Sequence, residues 1–191
     1  MIPPRKIGLY GGSFDPIHHG HLILARTARE ELGLDRIVFI PAGISPHKLD
    51  RPPAPAAIRC EMVAAAIADE PGFTWSDTEI RRDGPSFAID TVREFRSAEH
   101  GAEIFYFIGE DNLPALDTWK DIEILKTLCR FVVLARGIEE ENTGGLPVIH
   151  RVIDISSTDI RNRVATGRPV RYLLPESVCD ILTRERLYRN D

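Results

Sequence analysis

Apolar and polar residues follow one another in blocks that predict a strand, a glycine loop and a helix at the start of the chain. Lys6–Tyr10 is a short, mostly apolar run that predicts a buried strand, and it ends at Gly11-Gly12. From about Gly20 to Leu32 the apolar residues recur at the spacing of an amphipathic helix, which Gly33 ends. This order of elements is typical of the first unit of an α/β fold.

The same alternation continues to the end of the chain. Further strands are predicted at Arg36–Pro41, Phe73–Ile80, Glu103–Ile108, Phe131–Ala135 and Val148–Ile153, and further helices at Ala56–Asp69, Phe87–Glu99, Trp119–Leu128, Thr158–Ala165 and Pro175–Arg184. Strands and helices of this size in alternation predict a Rossmann-like, doubly wound parallel sheet with helices on both faces and a small helical C-terminal part. We expect one domain over residues 1–191 that includes the helical segment of about 156–191.

The position of a ligand crevice follows from this architecture. In an open sheet of this kind, ligands bind beyond the carboxyl ends of the strands. We therefore expect four loops to converge there, namely Gly11–His21, Ala42–Pro55, Gly109–Trp119 and Ile155–Arg161.

Composition and charge exclude several classes of protein. The net charge is −5, and no long block of one sign occurs, which argues against a general nucleic-acid or membrane-surface binder. Residues 151–191 carry eight Lys and Arg against six Asp and Glu, so this part is the better place to meet an anion. Three isolated cysteines and the lack of a long apolar run predict a cytoplasmic protein without disulfides, signal peptide or membrane span.

The loop after the first strand carries the first candidate chemistry. Its residues are Gly11-Gly12-Ser13-Phe14-Asp15-Pro16-Ile17-His18-His19-Gly20-His21. Glycines and the start of a helix offer backbone N–H groups to a phosphate, and His18 and His21 are spaced to face the same anion. The loop lacks the Gly-Lys pair of a P-loop and the GxGxxG of a dinucleotide fingerprint. Because Asp15 is the one obvious carboxylate partner, a metal site is the weaker alternative.

A second candidate segment is Ile155-Ser156-Ser157-Thr158-Asp159-Ile160-Arg161. Ser or Thr before a helical run is in general an ordinary N-cap. Here the cap comes with Arg161 three residues after Thr158, so hydroxyls, helix-start amides and a guanidinium lie on one turn. Such a group suits the triphosphate tail of a nucleotide.

The two segments together resemble the signature boxes of the HxGH nucleotidyltransferase superfamily, and the chain is most similar there to the bacterial nicotinate-nucleotide adenylyltransferase family. The resemblance extends over nearly the whole chain. It includes Pro46-His47-Lys48, Gly84-Pro85-Ser86-Phe87, Gly109-Glu110-Asp111 followed by Trp119, and the ending Leu173-Leu174-Pro175 with Leu187-Tyr188. Each box is short, but their order and spacing make the match specific.

The resemblance implies transfer of AMP from ATP to nicotinic acid mononucleotide, which gives deamido-NAD and pyrophosphate in NAD biosynthesis. It implies catalytic roles for His18 and His21 at the reacting phosphates and for Lys48 and Arg161 at the pyrophosphate. The ATP-binding residues that it implies are Gly11, Gly12, Ser13, Phe14, Gly109, Asp111, Ser156, Ser157 and Thr158, and the mononucleotide-binding residues are Phe87, Ala88 and Trp119. No carboxylate cluster lies near these loops, so we expect Mg²⁺ to be held mainly by ATP phosphates.

Some positions depart from the family pattern or have an ordinary structural alternative. Ala88 stands where the family often has Thr, and the usual Arg-Pro-Gly after the fifth strand is reduced to Arg136-Gly137. Asp111 suits a ribose hydroxyl or a helix N-cap, and Trp119 suits ring stacking or an amphipathic helix core. Alternative substrates are nicotinamide mononucleotide and phosphopantetheine, and a nucleotide-sensing module without turnover is a third hypothesis.

Overall fold

The computed structural model describes residues 3–43, 53–137 and 143–189 of the chain. Within these ranges, six strands form one sheet: β1 (Lys6–Gly12), β2 (Arg36–Pro41), β3 (Phe73–Trp75), β4 (Glu103–Gly109), β5 (Arg130–Ala135) and β6 (Val148–His150). The α-helices are α1 (His19–Leu32), α2 (Ala56–Ile67), α3 (Thr78–Arg81), α4 (Ala88–Ala98), α5 (Ile122–Leu128), α6 (Ser157–Ala165) and α7 (Glu176–Arg184). A 3-10 helix spans Glu110–Thr118.

The sheet has the strand order β3-β2-β1-β4-β5-β6, and all neighbouring strands are parallel. The chain leaves β1 toward β2 and leaves β4 toward β5, so the winding direction reverses between β1 and β4. In doubly wound sheets, the crevice between two such strands is where ligands bind. The predicted Rossmann-like α/β fold is therefore confirmed, and its switch point lies directly after Gly12 and Gly109.

Two apolar cores, one on each face of the sheet, explain why helices cover both sides. One core contains side chains of α1, α2, α6 and α7, among them Ile160 and Ile181, against the sheet. The other contains side chains of α4 and α5 together with Leu116 of the 3-10 helix. The C-terminal helices thus pack into the same core as the sheet. No helix among the described residues has the length and apolar composition to cross a membrane.

Three predicted elements differ from the structure by three residues or more at one end. The strand predicted over Phe73–Ile80 ends at Trp75, because Ser76 Oγ accepts a hydrogen bond from the Thr78 N–H (3.3 Å) and the chain turns into α3. The helix predicted over Trp119–Leu128 begins only at Ile122, after Asp121 in the left-handed conformation (φ 52°), and the preceding loop is a 3-10 helix. The strand predicted over Val148–Ile153 ends at His150.

Candidate active site

A cavity of about 230 Å³ lies at the carboxyl ends of β1 and β4, at the switch point of the sheet. Three of the four loops expected to converge do so here in part, since Gly11–Ser13, Ala42 and the segment from Gly109 line it. The start of α4 closes it from the side of the second core. The lining residues are Gly11, Gly12, Ser13, Ala42, Glu79, Ser86, Phe87, Ala88, Tyr106, Phe107, Ile108, Gly109, Asn112, Thr118, Trp119 and Lys120.

The start of α4 places a helix N-terminus and the Lys120 ammonium group at this cavity. Phe87 is the N-cap residue in extended conformation, its side chain makes no cap hydrogen bond, and Ala88 is the first helical residue. The Lys120 ammonium group lies 4.5 Å from the Phe87 ring centroid and donates a hydrogen bond to Asp90 Oδ2 at 3.2 Å. A helix N-terminus and an ammonium group in one cavity wall favour an anionic group of a ligand.

Aromatic side chains form the floor of the cavity. Trp119 and Tyr106 meet edge to face with ring centroids 6.1 Å apart, and Phe131 contacts both from the core. The indole N–H of Trp119 is buried without a hydrogen-bond partner among the described residues. A Cβ on Gly11 would lie 3.0 Å from the Tyr106 hydroxyl oxygen, so the backbone of the glycine loop approaches this ring closely because residue 11 is glycine.

One carboxyl group is buried at the edge of the cavity. Glu79 is 5% exposed, and its Oε1 accepts a hydrogen bond from the buried Thr91 hydroxyl at 2.9 Å. Burial raises the pKa of Glu79, while the hydrogen bonds from Thr91 and Ser86 act in the opposite direction. Thr91 also accepts a hydrogen bond from Arg82 at 3.2 Å. Glu79 thereby links α3 to the first turns of α4.

His18 and His21 lie together on the other side of the glycine loop. Their imidazole rings stack with centroids 3.7 Å apart, and the backbone N–H of His18 donates to His21 Nδ1 at 3.2 Å. The ring of His21 also packs edge to face on Phe14 and Tyr10. The spacing of three residues around the start of α1 therefore places both imidazoles in one group, as the sequence predicts.

His18 is a buried, electrostatically unusual histidine. It is 0% exposed, and neither ring nitrogen has a hydrogen-bond partner of ordinary geometry among the described residues. Burial, and after it the positive charges of Arg136 and His19, lower the pKa of His18 to about 3. An unpaired buried ring nitrogen costs free energy, and such groups concentrate where a ligand or a reaction uses them. His18 is thus a neutral imidazole with unused hydrogen-bonding capacity.

The C-terminal box joins the glycine loop beside the histidine pair. Ser156 is the N-cap of α6 and accepts a hydrogen bond from the Asp159 N–H (3.1 Å), and the Ser157 hydroxyl donates to the carbonyl of Pro16 (2.9 Å). Arg161 donates to the carbonyl of Asp15 at 2.7 Å and to Thr158 Oγ1 at 3.1 Å. The two boxes, far apart in sequence, therefore form one surface.

Some predicted site residues do not offer a side chain to a ligand at the cavity or beside the histidine pair. The Phe14 ring is 2% exposed and packs in the core, so a contact to ATP from this residue would come from its backbone. Asp111 does not line the cavity, and the N-cap of the 3-10 helix is Gly109, which excludes the N-cap alternative for Asp111. Lys48 lies outside the described residues. The described residues contain no group of three or more His, Cys, Asp or Glu side chains that is placed to hold a metal ion.

Sequence reasoning missed four functional candidates. Glu79 falls within the predicted strand Phe73–Ile80, and no local signal marks it as a buried residue of the cavity. Tyr106 falls within the predicted strand Glu103–Ile108 and Lys120 within the predicted helix Trp119–Leu128, and neither is predicted as a site residue. Arg136 donates from Nη1 to the carbonyl of Ile155 at 3.1 Å, and its backbone N–H donates to Glu110 Oε1 at 3.2 Å. It thus reaches from the end of β5 to the start of α6, next to His18.

The fold and the paired boxes define a nucleotide-binding α/β protein, and the cytidylyltransferase-like family model matches residues 9–163. The probable nicotinate-nucleotide adenylyltransferase of Moorella thermoacetica is 43% identical over 202 residues, with 97% of this chain and 93% of the relative covered. That of Thermus thermophilus is 43% identical over 187 residues, with 96% of this chain and 100% of the relative covered. The chain therefore belongs to the nicotinate-nucleotide adenylyltransferase family within the cytidylyltransferase-like proteins, which confirms the resemblance.

Among solved structures, the Plasmodium falciparum nicotinic acid mononucleotide adenylyltransferase in complex with APC has the same fold. Its TM-score is 0.80 at 17% sequence identity, and the match covers 96% of this chain and 97% of that one. At this identity the likeness establishes the architecture.

Proposed function

We propose that the protein is an enzyme that transfers the adenylyl group of ATP to nicotinic acid mononucleotide and releases pyrophosphate. A phosphate oxygen of the mononucleotide forms a bond to the α-phosphorus of ATP while the bond from that phosphorus to the bridging oxygen of pyrophosphate breaks. The attacking phosphate is already an anion at neutral pH, so the reaction needs neither a protein nucleophile nor a strong base. The identity of 43% to relatives named for this activity supports the assignment.

One geometric observation carries this proposal. The glycine loop is a shared wall: the cavity with Phe87, Ala88 and Trp119 lies on one side of it, and the group of His18, His21 and Arg161 lies on the other. A reaction that joins two phosphorylated nucleotides needs two binding regions that meet at their phosphates. The backbone N–H groups of Gly11–Ser13 and the N-terminus of α1 suit the phosphates at this junction.

We assign the phosphate side to ATP. His21 is the more accessible ring of the pair, and His18 beneath it is a neutral imidazole that carries one N–H donor. Arg161 and the start of α6 face the triphosphate tail. Lys48 lies outside the described residues, and its role at the pyrophosphate is the one that the family resemblance implies. The described residues contain no group of three or more metal-ligating side chains, and the Asp15 carboxylate already accepts hydrogen bonds from Ala54 and Tyr188. Mg²⁺ would therefore be held mainly by ATP phosphates and would stabilise the charge that develops on pyrophosphate.

We assign the cavity to the nicotinic acid mononucleotide. Trp119 is the stacking surface for the pyridine ring, and the ring carboxylate lies against the start of α4, where the Lys120 ammonium group adds a positive charge. Ala88 has no hydroxyl, so recognition of the carboxylate by this chain relies on backbone N–H groups and charge. Asp111 does not line this cavity, and as one of the expected ATP-binding residues it is assigned to a ribose hydroxyl of ATP.

A pyrophosphate-release assay with ATP, Mg²⁺ and three separate acceptors tests this function. We expect turnover with nicotinic acid mononucleotide that exceeds turnover with nicotinamide mononucleotide and with phosphopantetheine. Turnover only with phosphopantetheine would move the assignment to another adenylyltransferase of the superfamily. ATP binding without turnover on all three acceptors would leave a nucleotide-sensing module as the better hypothesis.

A further inference from the structure

The carboxylate of Asp15 ties together four distant segments of the chain. Asp15 belongs to the glycine loop and is 9% exposed. Its Oδ1 accepts hydrogen bonds from the Ala54 N–H at 3.0 Å and from the Tyr188 hydroxyl at 2.5 Å. Arg161 Nη1 donates to the Asp15 carbonyl at 2.7 Å and lies 3.8 Å from Oδ2. One residue thereby joins the glycine loop, the segment before α2, helix α6 and the end of the chain.

The buried guanidinium of Arg59 also holds the glycine loop in place. Arg59 of α2 is 2% exposed, and it donates from Nη1 to the Ser13 carbonyl at 2.8 Å and from Nε to the Ala54 carbonyl at 3.0 Å. A buried cation is tolerated where its donors are bonded and an anion is near, and Asp15 supplies that anion. Asp15 therefore lies between Arg59 and Arg161, and its position governs how both cations are arranged around the glycine loop.

The hydroxyl of Tyr188, in the segment after α7, fixes the carboxylate of Asp15. Tyr188 adopts a left-handed backbone (φ 59°), an uncommon conformation for a residue with a large side chain. Burial and the neighbouring Asp15 carboxylate raise the pKa of the Tyr188 hydroxyl, so this group remains a protonated donor at neutral pH. A hydrogen bond from a hydroxyl to a carboxylate is among the stronger ones in proteins.

We propose that Tyr188 is a positioning residue of the ATP side: through Asp15 it holds Arg161 and the glycine loop in the arrangement that binds the triphosphate. The inference rests on the proposed function, which assigns Arg161 to ATP. A guanidinium has five N–H donors in a rigid fork. The hydrogen bonds from Arg161 to Asp15 and Thr158 orient this fork while donors remain for a phosphate. Arg161, Asp15 and Tyr188 do not line the cavity, so we expect the effect to fall mainly on ATP.

Tyr188→Phe tests the inference because it keeps the ring and removes the hydroxyl. Loss of one hydrogen bond to a charged group corresponds to an increase of about 10-fold in the KM for ATP. We expect the KM for nicotinic acid mononucleotide to change by less than about twofold. The matched control is Tyr172→Phe, since Tyr172 lies in the same C-terminal part but is 78% exposed. It should leave both KM values unchanged.

A double-variant cycle shows whether Tyr188 acts through Asp15. If it does, the variant with both Tyr188→Phe and Asp15→Ala has the same KM for ATP as Asp15→Ala alone. Additive effects, or an equal rise of both KM values in Tyr188→Phe, would overturn the inference. Titration of MgATP into each variant by calorimetry, without the mononucleotide, measures the ATP side alone. An inactive wild-type protein that binds MgATP would contradict the proposed function, while equal ATP affinity of wild type and Tyr188→Phe would contradict the role of Tyr188.

Discussion

The two sides of the glycine loop differ in how they are built. On the phosphate side, His18, Asp15 and Arg59 are buried, and hydrogen bonds to Arg161 and Tyr188 connect four parts of the chain. On the cavity side, Trp119 and Tyr106 supply apolar surface, and the start of α4 with Lys120 supplies one region of positive charge.

This difference follows from what each side has to recognise. Phosphates that react must be held in one geometry while their charge is redistributed, and buried donors fixed by a network do this without rearrangement. A planar pyridine ring needs a flat apolar surface to bind against. Its substituent needs one group that distinguishes a carboxylate from an amide. We therefore expect changes on the phosphate side to affect the rate, and changes on the cavity side to affect the choice of substrate.

The largest effect is expected from the histidine pair. His18→Ala or His21→Ala should lower kcat by about 100-fold or more, because removal of one donor at a developing charge typically raises the barrier by about 3 kcal/mol. Steady-state pyrophosphate release measures this, with circular dichroism to verify that the fold persists.

The matched control for the histidine pair is His19→Ala. His19 is the first residue of α1 and lies between the two in sequence, and its backbone N–H donates to the Leu173 carbonyl at 3.0 Å. Its substitution should leave kcat within a few-fold of wild type. Near-normal turnover in both the His18 and the His21 variants would contradict the assignment of this side to catalysis.

The acid-or-amide choice is the second expected effect. A carboxylate is favoured at a helix N-terminus and beside an ammonium group, whereas an amide carries no charge and presents N–H donors to N–H donors. We expect kcat/KM to favour nicotinic acid mononucleotide over nicotinamide mononucleotide by about 100-fold. Trp119→Ala should weaken both substrates and leave most of the ratio, while Lys120→Met should lower the ratio severalfold. Equal efficiency with both mononucleotides would indicate a dual-specificity enzyme.

The sequence predicts the fold well where a local pattern determines the element. The strands predicted at Lys6–Tyr10 and Arg36–Pro41 are apolar runs bounded by turn residues. The second has these bounds in the structure, and the first extends to Gly12. Phe73–Ile80 was wrong in its second half, because alternation of polar and apolar residues does not reveal that Ser76 and the Asp77 carbonyl accept hydrogen bonds from the next turn. Asp121 with positive φ likewise delays α5 in a way that periodicity does not show.

The candidate site likewise contains residues that a local sequence pattern predicts and residues that it does not. His18, His21, Ser156 and Arg161 belong to short boxes, so their grouping follows from spacing and from the meeting of strand ends. Glu79 lies at the cavity because α3 turns back toward α4, a tertiary arrangement without a local signal. Tyr188 also has no local signal, since it bonds to Asp15, which lies 173 positions earlier in the sequence.

Arg161→Ala gives a smaller effect that falls on one substrate. The guanidinium is assigned to the triphosphate, so its loss should raise the KM for ATP by about 10-fold and leave the KM for the mononucleotide nearly unchanged. Arg163→Ala is the matched control, because Arg163 lies two residues further on α6 and pairs with Asp159 at 2.7 Å. A defect confined to the mononucleotide would show that Arg161 belongs to the other side.

The smallest effect concerns stability at acidic pH, and it tests the burial of His18 independently of catalysis. The pKa of His18 is about 3 in the folded protein and about 6.5 in an unfolded chain, so between these values the unfolded state binds the extra proton. Stability from this group is therefore present above about pH 6.5 and decreases as the pH falls toward 3. Between about pH 7 and about pH 5.5, this contribution to the free energy of unfolding falls by about 1 kcal/mol.

Urea unfolding of wild type and His18→Gln at both pH values measures this loss, because the contributions of the other titrating groups cancel in the difference. The wild type should lose about 1 kcal/mol more than the variant, and His150→Gln, at an exposed histidine, should behave as wild type. Equal losses of unfolding free energy in wild type and His18→Gln would mean that burial does not keep His18 neutral. The phosphate side would then not differ from the cavity side by a desolvated histidine, which is the residue on which the comparison most depends.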